Sequence, residues 1–192
     1  MPHAEGDALV VPDIRDYQRI NAELTRLLDS GSPRVRLVGV ERQRLLAAGL
    51  AGAWKAVIEV EGNAGPELGA GLNAPGLTVL CRGDAADGVA RSMKAGRVVV
   101  LGSATDAPGY DQRGGTLIIA GDAGHRAGLN CQGGSQLYRG RVGRLLGERQ
   151  SGGVIYAPLG SVGPHSGRGR TGGDLVLFST IDEIPAELIG LS

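Results

Sequence analysis

Two periodicities divide the chain. Over residues 13–29, DIRDYQRINAELTRLLD, the apolar residues Tyr17, Ile20, Leu24, Leu27 and Leu28 recur at helical spacing and predict one amphipathic helix. Asp13, directly after Pro12, is the expected N-cap, and the GSPR beyond the helix is a stop. From Val35 the spacing becomes that of strands. Short apolar runs each end at a glycine. Four and two positions ahead of that glycine stand Ile58 and Val60, Val79 and Cys81, Val98 and Val100, Leu117 and Ile119, Gln136 and Tyr138, Tyr156 and Pro158. Residues two apart share one face of a strand, so each unit offers a short strand with one largely apolar face.

The glycines keep register. They fall at Gly62, Gly83, Gly102, Gly121, Gly140 and Gly160, in steps of 21, 19, 19, 19 and 20 residues. Seven residues later the residue is always tiny: Gly69, Ala90, Gly109, Gly128, Gly147 and Gly167. Each unit closes on one or two glycines, from Gly76 to Gly172 and Gly173. A strand too short to fold alone, repeated at a locked period, predicts stacking of successive coils about one strand spacing apart. The expected fold is all-β: a right-handed parallel β-helix of about seven rungs, roughly 34 Å tall, preceded by a short amphipathic helix. Val35–Leu37 begins the first rung, and Leu175 with Leu177 forms a last partial one. The divisions are an arm and capping helix over 1–34, the β-helix over 35–178 and a C-terminal cap over 179–192. The helix is expected to cover the first rung and IDEIPAELIGLS the last. Hairpin sandwiches lack a locked period. The hexapeptide repeat of left-handed helices and the leucine–asparagine frame of leucine-rich repeats are both missing.

Between the two inward positions lies an outward one, reading Glu59, Leu80, Val99, Ile118, Leu137 and Ala157. Four successive large aliphatics on an outer face call for a cover. Either the N-terminal helix folds back over them or a partner subunit does. The arginines Arg139, Arg141, Arg144, Arg149, Arg168 and Arg170 crowd the late rungs and suit an acidic partner or an anionic group on a neighbour. The expected partner interface therefore comprises Leu80, Val99, Ile118, Leu137, Arg139, Arg141, Arg168 and Arg170. A solvated arginine face is the bland alternative.

Composition agrees with a tightly turning chain. Glycine supplies 34 of 192 residues and aromatics only 3%, which demands frequent turns and close packing of small side chains. A formal net charge of zero argues against binding driven by phosphate neutralisation, so no nucleic acid is expected. No apolar run approaches the ~20 residues of a membrane span, and the first residues do not read as a signal peptide. A cytoplasmic protein with reduced thiols follows. Candidate chemistry is sparse. His125 and His165 sit in corner segments without metal-type spacing, and Cys81 and Cys131 read as buried small residues. Asp84, Asp87, Asp106 and Asp111 read as turn residues that do not stack into one column. The glycine-rich GSVGPHSGRGRTGG lacks the phosphate-loop frame. No catalytic, cofactor-binding or metal-ligating residue is assigned.

The rungs VIEVEGNAGPELGAGLNAPG, LTVLCRGDAADGVARSMKAG, RVVVLGSATDAPGYDQRGG and TLIIAGDAGHRAGLNCQGG resemble the GXGXG repeat domain. That domain is the C-terminal β-helix of the glutamate synthase large subunit. It also occurs as a free-standing subunit of split glutamate synthases and N-methylglutamate synthase-like complexes, and in one of the subunits of formylmethanofuran dehydrogenase. The leader DYQRINAELTRLL is similar to that of the glutamate synthase branch. The resemblance implies a non-catalytic scaffold between a glutaminase-type amidotransferase subunit and an FMN-binding, glutamate synthase-like subunit. FMN and an iron–sulfur cluster are then expected on those partners and not on this chain, in a hetero-oligomer. A formylmethanofuran dehydrogenase-type scaffold and a self-associating β-helix that binds a partner outside any enzyme are the alternatives. The late rungs SQLYRGRVGRLLGERQSGG and VIYAPLGSVGPHSGRGRTGG depart from the repeat.

Overall fold

The computed structural model describes residues 7–11 and 16–190. Nine parallel strands form a single sheet in which every strand pairs only with its neighbours in sequence. They are β1 (Asp7–Val10), β2 (Arg34–Glu41), β3 (Ala56–Asn63), β4 (Asn73–Cys81), β5 (Ala95–Val100), β6 (Thr116–Ile119), β7 (Ser135–Tyr138), β8 (Val154–Pro158) and β9 (Asp174–Phe178). The helix α1 (Tyr17–Asp29) connects β1 to β2, and α2 (Ala186–Ile189) lies near the C-terminus. From β2 to β9 the chain makes seven turns of an all-β solenoid.

The register follows the apolar spacing. Leu37, Val60, Cys81, Val100, Ile119 and Tyr138 are successive partners across the sheet, and all are fully buried. A second inward column runs Val35, Ile58, Val79, Val98, Leu117, Gln136 and Ile155. Its one polar member is satisfied inside the core. The Tyr138 hydroxyl donates to Gln136 Oε1 (2.6 Å), and Gln136 Nε2 donates to Gly109 O (3.0 Å). Burying these groups unpaired would cost about 1–3 kcal/mol each.

The register glycines serve close approach. Gly83, Gly102, Gly121 and Gly140 each donate a backbone N–H to the oxygen of the register glycine one coil earlier. A Cβ at Gly121 would stand 2.6 Å from Gly102 O, so no side chain fits. The tiny residue seven positions later answers a different demand. Each coil there alternates left-handed residues, as at Ala107, Gly109 and Asp111 or Arg126, Gly128 and Asn130. Between the end coils, the first and third N–H of each trio point forward to the next coil, and the middle one points back. The middle residue faces the core: a Cβ at Gly128 would lie 2.5 Å from Ile155 Cδ1. A zigzag of left-handed residues is what lets one short segment bond both neighbours.

The helix α1 covers the first coil, with Ile20, Leu24 and Leu28 buried in the same core as β2. Its N-cap is Asp16, which accepts from Gln18 N at 2.9 Å; the expected cap, Asp13, lies outside the described residues. In the eighth strand the sequence reading is one residue out of step. Leu137 pairs with Tyr156, so Ile155 and Ala157 point inward in place of the expected Tyr156 and Pro158. An extra residue around Pro158–Leu159 causes the slip. Strand partners here are 19 residues apart, while the corner residues Val142 and Val162 are 20 apart. Counting back from Gly160 carries the insertion into the strand, and one residue of slip exchanges the faces.

Candidate functional site

Polar side chains collect on the corners that follow each strand, where they form two ladders. In the first, Asn63 Oδ1 accepts Asp84 N, Asp84 Oδ1 accepts Ser103 N, Ser103 Oγ accepts Asp122 N, and Asp122 Oδ1 accepts Arg141 N. In the second, Asp87 Oδ1 accepts Asp106 N, Asp106 Oδ1 accepts His125 N, and His125 Nδ1 accepts Arg144 N. The bond to Arg144 N makes Nδ1 the acceptor of the His125 ring. These carboxylates do stack, contrary to the sequence reading. Asp87 and Asp106 occupy one column, and Asp84 and Asp122 share another with Ser103 between them. The spacing of 19 residues is visible in the sequence. Each acid is nevertheless engaged by the amide of the coil above, which is how a coil corner meets its hydrogen-bonding need.

Asp111 is the most heavily engaged carboxylate. Burial pushes its carboxyl up, but hydrogen bonds from Ser92, Arg113 and Gln132, with the Arg113 charge, hold it below its ordinary value. Asn130 Nδ2 donates to it as well, at 3.0 Å. Burial pushes both Cys81 and Cys131 thiols up, which keeps them protonated and poor nucleophiles. Among the described residues no three of His, Cys, Asp and Glu are grouped so as to hold a metal. A cleft of about 150 Å³ opens on the corner beside Arg42, Asn63, Asp84 and Thr105. Small-molecule sites usually run ~300–1,000 Å³, so this one suits water or an ion more than a substrate. Among the described residues no helix is long and apolar enough to cross a membrane.

The expected interface divides in two. Leu80, Val99, Ile118 and Leu137 form a continuous outer stripe, but it is not open. Phe178, Ile184 and Leu188 pack over it and Ile189 joins them. Arg97 pins this cover by donating to Glu187 O (3.0 Å) and to Gly190 O. The stripe is covered by the C-terminal segment of the same chain, and neither α1 nor a partner is needed. That segment was expected on the last rung; it runs back across the sheet instead. The outward member in β8 is Tyr156, in place of the expected Ala157. At the other end of the stripe Glu59 is buried between Arg34 (2.6 Å) and Arg82 (2.5 Å).

The arginines lie elsewhere. Arg141 is exposed and 3.9 Å from Asp122. The side chains of Arg139 and Arg168 make no hydrogen bond or ion pair among the described residues. Arg170 reaches Gly173 O at 2.7 Å while its Nε is buried without a partner. All four belong to the last two coils. The sequence reading missed the cover because a segment that folds back carries no repeat, although Ile184, Leu188 and Ile189 form an apolar set that could have marked it.

Neither a curated protein nor a solved structure matches the chain. Residues 42–188 match the family model for the GXGXG motif. The matched region takes in every left-handed trio of the solenoid and the segment that covers the outer stripe, and the chain belongs to the GXGXG motif family.

Proposed function

We propose that this chain is a non-catalytic structural subunit of a glutamate synthase-like complex, holding a glutaminase-type amidotransferase chain and an FMN- and iron–sulfur-binding chain in register. Membership of the GXGXG motif family supports the relation to glutamate synthase. The observation that carries the scaffold role is the use of the corner side chains. Asp84, Asp87, Asp106, Asp122 and His125 each accept an amide from the following coil. Accepting through Nδ1 leaves the neutral His125 ring no lone pair to act as a base, and each aspartate commits one carboxylate oxygen to the neighbouring coil. Here the polar groups that could do chemistry hold the stack together, and the exposed arginine-rich face of the last coils is left for docking.

Co-expression tests the reading. The tagged chain is produced with the glutaminase-type and FMN-binding chains of its source and passed over a sizing column. A stoichiometric assembly with bound flavin is expected. Elution of this chain alone, with the other two assembled and active without it, overturns the proposal.

A further inference from the structure

We propose that the C-terminal end of the solenoid is a docking edge that takes an extended acidic segment of a partner protein as its next coil. The inference rests on the reading of this chain as a docking scaffold, but not on which complex it serves.

The two ends of the stack differ. At the first coil α1 buries the core beneath Ile20, Leu24 and Leu28. At the last, β9 has β8 as its only strand neighbour among the described residues. In every earlier coil the first and third left-handed residues donate their N–H groups forward, as Leu145 does to Pro164 O and Arg149 to Arg168 O. Their counterparts in the last coil, His165 and Gly169, are left-handed too, yet among the described residues neither N–H has an acceptor. Val162, Leu175 and Leu177 are only partly buried, where Val142, Ile155 and Ala157 one coil earlier are closed off. Leu159 is 59% exposed. An edge with free N–H groups and half-covered aliphatics is a template for one more strand.

Charge selects the occupant. From Arg139 to Asp174 the chain holds six arginines against two carboxylates, Glu148 and Asp174. Glu148 already faces Arg126 at 3.6 Å. Arg139, Arg144, Arg149 and Arg168 have no carboxylate partner among the described residues. A second copy fits poorly. Set tail to tail, the two ends would oppose arginine to arginine, and set head to tail, α1 blocks the way. The described residues do not supply the strand. The C-terminal segment leaves the edge and is tied down at Arg97. Residues 1–6 precede β1, about eight strand spacings or ~38 Å away, beyond the ~22 Å that six residues can span. An acidic strand from another protein satisfies the free donors and the arginines together.

The test uses a ten-residue peptide alternating glutamate with valine, and a control alternating lysine with valine. Hydrogen exchange on the full chain should show protection of the His165, Gly169 and β9 amides by the glutamate peptide alone. The exposed triple variant R144E/R149E/R168E, checked for an unchanged circular dichroism spectrum, should bind it at least tenfold more weakly. Equal binding of the lysine peptide, no binding of the glutamate peptide, or protection elsewhere overturns the inference. So does a homodimer that protects these amides, or single-stranded DNA that outcompetes the peptide. Failure to co-purify with the glutaminase and flavin chains sinks the proposed function but leaves the peptide result standing.

Discussion

Asn21, on the capping helix, stands in for a coil that does not exist: its Oδ1 accepts the backbone N–H of Ala47 at 2.9 Å. Ala47 is the middle left-handed residue of the first coil. In every later coil that N–H bonds backward to the preceding turn, as Gly69 does to Leu46 O and Ala90 to Leu68 O. The same carboxamide donates to Leu45 O at 2.8 Å and to Ala48 O at 3.5 Å, and the counterpart of Ala48 O in the next coil, Ala70 O, accepts Gly49 N from the preceding coil. One side chain thus supplies a donor and an acceptor that the repeat would otherwise take from backbone, and α1 becomes a cap with specified register.

Asn21→Leu should therefore destabilise more than its loss of one contact suggests. It leaves a buried N–H unpaired, at a cost of about 1–3 kcal/mol. The expected outcome is a lower urea midpoint with an unchanged slope, and faster exchange at the Ala47 amide than at Gly109. Equal protection of both amides in the variant would contradict the capping role.

Ile119→Asp and Val99→Asp separate the two apolar layers. Both residues are fully buried, but Ile119 lies inside the coil and Val99 lies beneath the C-terminal segment. An unpaired charge in the coil interior has no escape and should abolish cooperative unfolding. At Val99 the segment can lift away, so the stack should survive while residues 179–190 become sensitive to protease. Loss of the whole fold in both variants would mean that the outer cover is integral to the stack.

His125 offers a direct contrast between structure and chemistry. Its ring occupies the place that Asp87 and Asp106 hold in earlier coils, and accepts the Arg144 amide at 3.0 Å. His125→Asp keeps an acceptor there and should be nearly neutral in thermal stability. His125→Phe should lose about 1 kcal/mol. Thermal melts of the pair decide it; equal stability would remove the ladder from the account.

Asp111 makes stability depend on pH in a defined direction. Its folded value lies below the ordinary one, ~3.9 for an aspartate in an unfolded chain. The stabilisation is therefore complete above that pH and is lost as pH falls through the folded value. Asp111→Asn should be less stable than the parent at pH 7, and the gap should narrow below pH ~4. Urea midpoints at pH 7 and pH 3 measure it.

The register of the stack is legible in the sequence because two independent needs repeat with it. Gly83, Gly102, Gly121 and Gly140 mark where backbone meets backbone, and the inward aliphatics mark the core. The slip at Ala157 arises where only one of these marks remains. With one extra residue around Pro158–Leu159 ahead of Gly160, the glycine no longer measures the strand. The cover over Val99 and Ile118 escapes for another reason. The outer stripe shows that something apolar must pack there, but its partner is a non-repeating stretch around Ile184 and Leu188, and pattern alone does not pair the two. The open end is legible only in outline. Clustered arginines are in the sequence, while the unpaired His165 and Gly169 amides emerge from the stack.

Reconstitution tests the scaffold role most directly. The glutaminase-type and FMN-binding chains, purified without this subunit, are assayed for glutamine-dependent and ammonia-dependent glutamate formation as the chain is titrated in. Glutamine-dependent turnover should rise to saturation at a fixed ratio, and His125→Ala, Arg126→Ala and His165→Ala should restore it as fully as the parent. Loss of turnover in any of these three, with the assembly intact, would contradict the scaffold role.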